Sequence, residues 1–380
     1  MKVFNRYLAA NFIGPFFIST IFFVVFLLTF QLFRVMRIVI SKGVEIGVIL
    51  ELLGHIALSF VPMATPLSVL FAMLYALNKL SEDSEIIAMR SFGLSKGKLL
   101  MPFFWSSLGV ALTVFFLNQN IIPASKTYFK NSIIKLTSAG MINDIRPESF
   151  YHDIPGITLF AEKVEEGGKR MENIFIHSES KDGSEKLISA KSGSLVRILE
   201  NEDVPPTLRL YLKEGNILKS DGKGELEKGL FYEYDFPLFE ESIKPGFINK
   251  DNMKTTRDLR RFIRYKSNEL KKEKNQAKKD SLLTRLYKAK LEYWTRINTP
   301  FQILLFALLG FCYGIKRGRG KERNYGVVIM ALLVFNYALF FYGISLSKKG
   351  HMAPEVAIFL PTALLFLWGM RAFKRLDWLD

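Results

Sequence analysis

The sequence has 380 residues, of which 49% are hydrophobic and 14% aromatic, with 34 Phe and a formal net charge of +16. A mean hydropathy of +0.16, with the apolar residues in clustered runs, predicts membrane spans that alternate with a polar domain and disfavours an ordinary soluble protein. The single cysteine, Cys312, excludes an intrachain disulfide and a thiolate metal cluster.

A long uncharged stretch, Tyr7–Phe33, lies near the N-terminus of the chain. This stretch is longer than the apolar region of a signal peptide, and no small-residue cleavage site follows it. We therefore expect a retained first span.

Six apolar segments have the length of a membrane span, or nearly so. They are Asn11–Phe33, Ile56–Leu77, Leu99–Ile122, Ile297–Ile315, Tyr325–Ser347 and Ala353–Phe373. The sixth is the shortest, because its uncharged core, Val356–Met370, falls below the ~20 residues that a helical span prefers. The sequence predicts six spans in two groups of three.

The stretch LSEDSEIIAMRSFGLSKGK at Leu80–Lys98, between the second and third spans, predicts a short charged helix. Ser81 is placed to cap a helix that begins at Glu82, Gly93 to end it in a left-handed conformation, and Ser95 to cap the next element. Two interpretations remain open. One is an ordinary structured loop, and the other is a coupling helix, a rigid lever that docks into a groove of a partner.

A long polar segment, Pro123–Tyr293, follows the third span. Its middle alternates apolar and polar residues between turn signals, which predicts short antiparallel strands in a sandwich or jelly roll. The predicted strands are Thr158–Val164, Met171–Glu179, Lys186–Ile198, Thr207–Leu218 and Gly229–Phe236.

The end of this segment, Thr256–Tyr293, is strongly basic and has a helical period. It is either a solvated connector that returns the chain to the membrane or a face that meets anionic lipid headgroups. The predicted divisions are 1–122 for three spans with a coupling helix at about 82–92, 123–255 for the β domain, 256–293 for the connector and 294–380 for three further spans.

The orientation follows from Lys and Arg in the short loops. With a cytoplasmic N-terminus, fourteen of these residues lie inside and five outside. We therefore expect both termini in the cytoplasm and the β domain on the outer side of the membrane. The outer five are Arg34, Arg37, Lys42, Lys348 and Lys349.

The segment SEDSEIIAMRSFGLSKGKLL is similar to the stretch between the second and third spans of the LptF/LptG (YjgP/YjgQ) family. These are permease subunits of the lipopolysaccharide-export ABC transporter. Other similar motifs are VPMATPLSVLFAMLYALNKLSEDSE, EYWTRINTPFQILLFALLGFCYGIKRGRG and YGISLSKKGHMAPEVAIFLPTALLFLWGMRAF. The order of three spans, an outer β domain and three spans matches along the whole chain.

The resemblance implies a non-catalytic inner-membrane subunit without a cofactor. It implies pairing with a paralogous permease, LptG or LptF, around a cavity that takes lipopolysaccharide from the membrane. A cytoplasmic LptB dimer would hydrolyse ATP, and a periplasmic bridge of LptC and LptA-type jelly rolls would receive the lipid. The sequence contains no GxxxxGK[ST] phosphate loop, and nucleic acid is not an expected partner. The helical stretch before the fourth span and the GHMAP motif favour an LptF-like subunit.

The resemblance also assigns roles to individual residues. Glu85 matches the acidic coupling-helix residue of the family, with Glu82, Asp83 and Arg90 assisting. Family members carry basic residues at the outer end of the first span, near the lipid A phosphates. That role is carried to Arg34, Arg37 and Lys42, for which simple interfacial anchoring is the alternative.

Other candidates carry weaker signals. Glu51 and His55 are spaced like two metal ligands, but no third ligand is visible, so a metal is not predicted. Arg296 is expected to anchor the fourth span at the interface. The function class that competes with export is a membrane-anchored β-domain sensor or scaffold for an envelope ligand, which would need neither six spans nor a stiff cytoplasmic helix.

Overall fold

The computed structural model of the protein describes residues 2–42, 46–154, 156–165, 170–179, 185–198, 207–221, 225–237, 250–273, 276–315 and 325–376. The chain forms two compact units, which are described separately. The first, here called the helical unit, comprises Met1–Arg34, Leu53–Lys126 and Asp251–Asp380. The second, the sheet unit, comprises Val35–Leu52 and Thr127–Lys250.

The described helices are α1 (Lys2–Lys42), α2 (Ile46–Glu82), α3 (Glu85–Ser91), α4 (Lys96–Gln119), α5 (Ile121–Asp144), α6 (Thr256–Lys272), α7 (Gln276–Gly314), α8 (Tyr325–Lys348) and α9 (Pro354–Lys374). Among them, α1, α2, α4, α7, α8 and α9 are long and apolar enough to cross a membrane. The prediction of six membrane helices is confirmed.

The structure shows two features of the helices that the sequence pattern did not predict, a separate α5 and the division of the basic connector. Asn120 adopts a non-helical conformation, so the polar segment after the third span begins with the 24-residue helix α5 rather than with strands. The basic connector is divided into α6 and the first half of α7, and α7 then continues without a break into the fourth span.

The core of the helical unit is built largely from α2, α4 and α7, with the first half of α1 packed against it. Phe12 and Phe103 meet edge to face, with ring centroids 6.4 Å apart, and Phe311 is fully buried in the same cluster. The remaining part of α1 leaves Phe22, Phe26 and other large apolar side chains exposed, as a lipid-facing or partner-facing helix would.

A close helix crossing joins α7 to α2 through two glycines four residues apart. A Cβ atom on Gly310 would lie 2.6 Å from Cβ of Met73, and one on Gly314 would lie 2.9 Å from Cβ of Leu77. Both distances are too short for real atoms, so the spacing of the two backbones depends on these glycines. Small residues at this spacing are the usual means of close packing between membrane helices.

The sheet unit contains one six-stranded antiparallel sheet within the described residues. Its strands are β1 (Ser149–Ile154), β2 (Ile157–Glu165), β3 (Arg170–Glu179), β4 (Glu185–Ile198), β5 (Thr207–Asp221) and β6 (Glu225–Pro237). Each strand pairs with its neighbour in sequence, so the order is that of an up-and-down meander. The predicted β domain between the third and fourth spans is confirmed as this sheet, and its meander order is a finding that the alternation of apolar and polar residues does not decide.

The two faces of the sheet differ in chemistry. One face is apolar and buried, with Ile176, Ile188 and Leu212 in its core. Asn173 has a φ of 49°, and this left-handed residue shifts the alternation so that Met171 and Ile174 both reach the core. The exposed positions of the strands instead carry ion pairs between neighbouring strands: Lys163–Glu172, Lys191–Glu214, Lys213–Glu233 and Lys219–Glu227.

Candidate functional site

The short helix α3 lies between α2 and α4, at the position where the sequence predicts a coupling helix. The predicted start of this helix is wrong. Helix α2 continues to Glu82, and the hydroxyl of Ser81 donates to the carbonyl of Leu77 inside α2 instead of capping a new helix. The chain then turns at Ser84, whose φ of 59° is left-handed, and α3 begins at Glu85.

The predicted end of this helix is confirmed. Gly93 has a φ of 74°, its N–H donates to the carbonyl of Arg90 (2.8 Å), and the N–H of Leu94 donates to the carbonyl of Met89 (3.2 Å). This pair of bonds is the Schellman arrangement, which satisfies carbonyls that the helix leaves unpaired. The hydroxyl of Ser95 then accepts from the N–H of Lys98, so it caps α4 as predicted.

One side of α3 is fixed to the helical unit. Ile86 is only 2% exposed and lies in the main apolar cluster, and Met89 packs against that cluster. The hydroxyl of Tyr7, near the start of α1, donates to Oε1 of Glu85 at 2.7 Å. The amino group of Lys96 donates to the carbonyl of Phe373 at 3.1 Å, which joins the start of α4 to the end of α9. The burial of Ile86 and the Tyr7–Glu85 bond fix α3 to the helical unit.

The other side of α3 is exposed and more apolar than the charged sequence of this stretch predicts. Phe92 is 88% exposed and Ile87 is 54% exposed. Glu82 and Asp83 are exposed beside them, whereas Glu85 is partly buried under its bond to Tyr7. Ile87 and Phe92 were not predicted as site residues, although both are large apolar residues that fall outside the buried i, i+3 stripe of this helix.

Arg296 has a different environment from the predicted one. It is 5% exposed, so the prediction of an interfacial anchor is wrong. Its Nε donates to Oε1 of Glu292 (3.0 Å), and its Nη1 donates to the carbonyl of Lys254 (2.9 Å) and to the hydroxyl of Thr256 (3.2 Å). Arg296 therefore ties the residues that lead into α6 to the middle of α7, a contact between residues some 40 positions apart that composition cannot reveal.

A second basic side chain, Lys126, lies near Arg296 and is partly buried. Burial lowers the pKa of the Lys126 amine, Glu292 opposes this shift, and the nearby Arg296 adds to it.

Glu51 and His55, the spaced pair considered as metal ligands, have separate partners. The Tyr128 hydroxyl donates to Glu51 (2.7 Å), and Nδ1 of His55 lies 2.8 Å from the hydroxyl of Ser125. Across the described residues, no group of three or more His, Cys, Asp or Glu side chains is placed to hold a metal ion.

Comparison with known families identifies the chain. A family model described as lipopolysaccharide export system permease LptF/LptG matches residues 6–375, nearly the full length. The chain belongs to the LptF/LptG family. The model covers both kinds of subunit and does not distinguish an LptF-like from an LptG-like chain.

A curated relative is similar to only part of this LptF/LptG chain. It is the uncharacterized protein RP871 of Rickettsia prowazekii (strain Madrid E), 22% identical over 195 residues. The match covers 51% of this chain and 48% of the relative, so the chain spans about half the length of the relative it matches. The printed name of the relative carries no activity.

Membership of the LptF/LptG family directs attention to two groups of predicted site residues. The structure brings Glu82, Asp83, Glu85 and Arg90 together on and beside α3. Arg34, Arg37 and Lys42 lie in the last turns of α1, where their backbone is helical, but their side chains lie outside the described residues. Their role in lipid binding stays a prediction.

Proposed function

We propose that the chain is a permease subunit that extracts lipopolysaccharide from the inner membrane and passes it to a periplasmic bridge. The observation that carries the proposal is the match of the LptF/LptG family model to residues 6–375, over six membrane helices and an inserted β domain. Energy comes from a separate ATPase, because the sequence has no phosphate loop of its own.

In this proposal α3 is the coupling helix that docks on a cytoplasmic LptB dimer. Its support is the contrast between its two sides. Ile86 and the Tyr7–Glu85 bond fix one side, and Ile87 and Phe92 leave an exposed apolar face on the other. An exposed apolar anchor with charged residues at its rim is the usual composition of a protein interface. Glu85 then acts at the edge of the interface, where it also orients α3 through Tyr7.

The same proposal assigns the exposed membrane helices to pairing with a paralogous subunit. Phe22, Phe26 and Phe30 of α1 are exposed, and so are Val334 and Phe335 of α8. Two such subunits would enclose a cavity between their exposed helices. Arg34, Arg37 and Lys42 would then contact the phosphates of the lipid head, since arginine binds phosphate through two parallel hydrogen bonds.

The β domain receives the lipid in this scheme. Strands β1 and β6 each pair with one neighbouring strand within the described residues, and in this scheme their outer edges pair with the jelly rolls of LptC and an LptA-type bridge. Both termini and α3 are then cytoplasmic, and the sheet is periplasmic, as the distribution of Lys and Arg predicts.

The proposal is tested by reconstitution. The chain, its paralogue and the ATPase are placed in liposomes that contain lipopolysaccharide, and transfer of the lipid to soluble bridge protein is measured with and without ATP. The expected result is transfer that requires ATP and all three components. Undiminished transfer without this chain would remove it from the export pathway.

A further inference from the structure

A basic cleft lies where α6 packs beside α7 and the start of α9. Its volume is about 420 Å³, and its lining includes Arg260, Arg264, Lys290, Tyr293, Trp294 and Glu355. All of these residues belong to the helical unit. The volume is that of a small-molecule site.

The charges of this basic cleft are unbalanced. Glu355 is its only carboxylate among the described lining residues, and its Oε1 already accepts from Nζ of Lys290 (3.3 Å) and Nε1 of Trp294 (3.1 Å). Arg260 uses Nε to donate to the Tyr293 hydroxyl at 2.8 Å, and its guanidinium lies 5.2 Å from the centre of that ring. Arg264 is exposed and has no hydrogen bond or ion pair within the described residues. The two guanidinium groups therefore keep unused donors in the cleft.

The surroundings place the basic cleft at a membrane interface. Helix α6 carries seven Lys and Arg against two acidic residues, and basic charge close to a membrane span attracts anionic lipid headgroups. Tyr293 and Trp294 stand just before the apolar part of the fourth span, where aromatic residues concentrate in membrane proteins.

An apolar groove begins next to the cleft. It has a volume of about 510 Å³ and runs between α4, α7 and α9, with Phe104, Phe301, Leu308, Phe359 and Phe366 in its lining. Phe359 joins the two sites, because its ring centre lies 5.8 Å from that of Trp294 in the cleft and 6.5 Å from that of Phe301 in the groove. A ligand with an anionic head and an apolar tail matches this sequence of surfaces.

We propose that the basic cleft and the apolar groove form one binding site for an anionic glycerophospholipid. The phosphodiester accepts hydrogen bonds from Arg260 and Arg264, and an acyl chain occupies the groove. Arginine suits the phosphate because its planar fork bonds two oxygens at once. The groove excludes a free phosphate as the sole ligand, since it would leave a large apolar surface unfilled. The site uses neither α3 nor the outer end of α1, so it goes beyond the proposed export function.

The test uses the full chain, purified in a neutral detergent, with phosphatidylglycerol binding measured by native mass spectrometry. Arg264→Gln should weaken binding about tenfold, the effect of losing one charge-assisted contact. Arg261→Gln is the matched control, because Arg261 is also an exposed arginine of α6 but does not line the cleft. Ala363→Trp, which fills the groove, should also weaken binding, whereas Leu360→Trp, an exposed position of α9 outside the groove, should not.

Three results would overturn the proposal. Equal losses in Arg264→Gln and Arg261→Gln would mean that the overall charge of α6 holds the lipid. Full displacement of phosphatidylglycerol by inorganic phosphate would mean that the groove contributes nothing. Tighter binding of lipopolysaccharide than of phosphatidylglycerol to the wild-type chain, lost in Arg264→Gln, would assign the site to a different lipid. Binding is measured without the ATPase, so its failure is distinguishable from a failure of the export proposal.

Discussion

Arg296 shows how one side chain fixes the path of the chain as it enters the fourth span. Its guanidinium is buried, forms a 3.0 Å ion pair with Glu292, and also holds the carbonyl of Lys254 and the hydroxyl of Thr256. A buried arginine is stable only when its donors are satisfied, and these partners do so. The residue therefore acts as a structural clamp.

Replacing this clamp should destabilise the protein. Arg296→Met should lower the free energy of unfolding by about 3 kcal/mol, because Glu292, the carbonyl of Lys254 and the hydroxyl of Thr256 lose their donor. The measurement is denaturant unfolding of the purified chain in detergent. Arg261→Met, at an exposed arginine of α6, is the control and should change little. An unchanged transition in Arg296→Met would contradict the clamp.

Lys130 of α5 provides a pH-dependent prediction. Burial, and then repulsion by Lys250, lowers the pKa of its amine to about 8. Lys163 is the comparison, since its ion pair with Glu172 raises its pKa. A lowered pKa means that the neutral, reactive amine forms at lower pH.

A small acylating reagent followed by mass spectrometry measures this difference. The rate at Lys130 should reach half its maximum near pH 8, whereas the rate at Lys163 should still be rising above pH 10.5. Two identical profiles would show that the environment of Lys130 does not disfavour its charge.

At the scale of elements, α3 combines a buried stripe with an exposed apolar face. Charge reversal in Glu85→Lys should abolish co-purification with LptB, because it breaks the Tyr7 bond and reverses the charge at the rim. The double change Ile87→Ser and Phe92→Ser should weaken ATPase binding roughly tenfold or more while the chain stays inserted, since both side chains are exposed.

The control for this experiment is Val3→Ser, an exposed apolar residue of α1 outside α3. Binding is followed by pull-down at several ATPase concentrations. If all variants bind as the wild type does, α3 is an ordinary loop helix, and the coupling role belongs elsewhere.

The elements also show which features a sequence can reveal. Spans and the Gly93 turn are local properties, so composition and one glycine were enough to predict them. The start of α3 was mispredicted because Ser81 bonds back to Leu77, an alternative equally open to any serine in a helix. The close approach of α7 to α2 has a signal in the sequence, the four-residue spacing of Gly310 and Gly314. The burial of Arg296 had no local signal at all.

At the scale of the whole molecule, the proposed function needs α3 and the sheet on opposite sides of the membrane. Among the candidate spans, only α4 lies between α3 and the sheet in the sequence. If α4 crosses the membrane once, α3 and the sheet lie on opposite sides. The excess of Lys and Arg in the short loops predicts the cytoplasmic side for α3. No other prediction about coupling or lipid transfer holds if this arrangement fails.

Single-cysteine labelling tests the arrangement. The only native cysteine, Cys312, is buried, and Cys312→Ser provides a background without thiols. Ser192→Cys on β4 and Ser91→Cys on α3 are both exposed positions. In spheroplasts, a membrane-impermeant maleimide should label Ser192→Cys at once and Ser91→Cys only after the membrane is permeabilised. Equal labelling of both after permeabilisation is the control for reactivity. Labelling of Ser91→Cys, but not Ser192→Cys, in intact spheroplasts would reverse the topology and with it the assignment of α3 to a cytoplasmic ATPase.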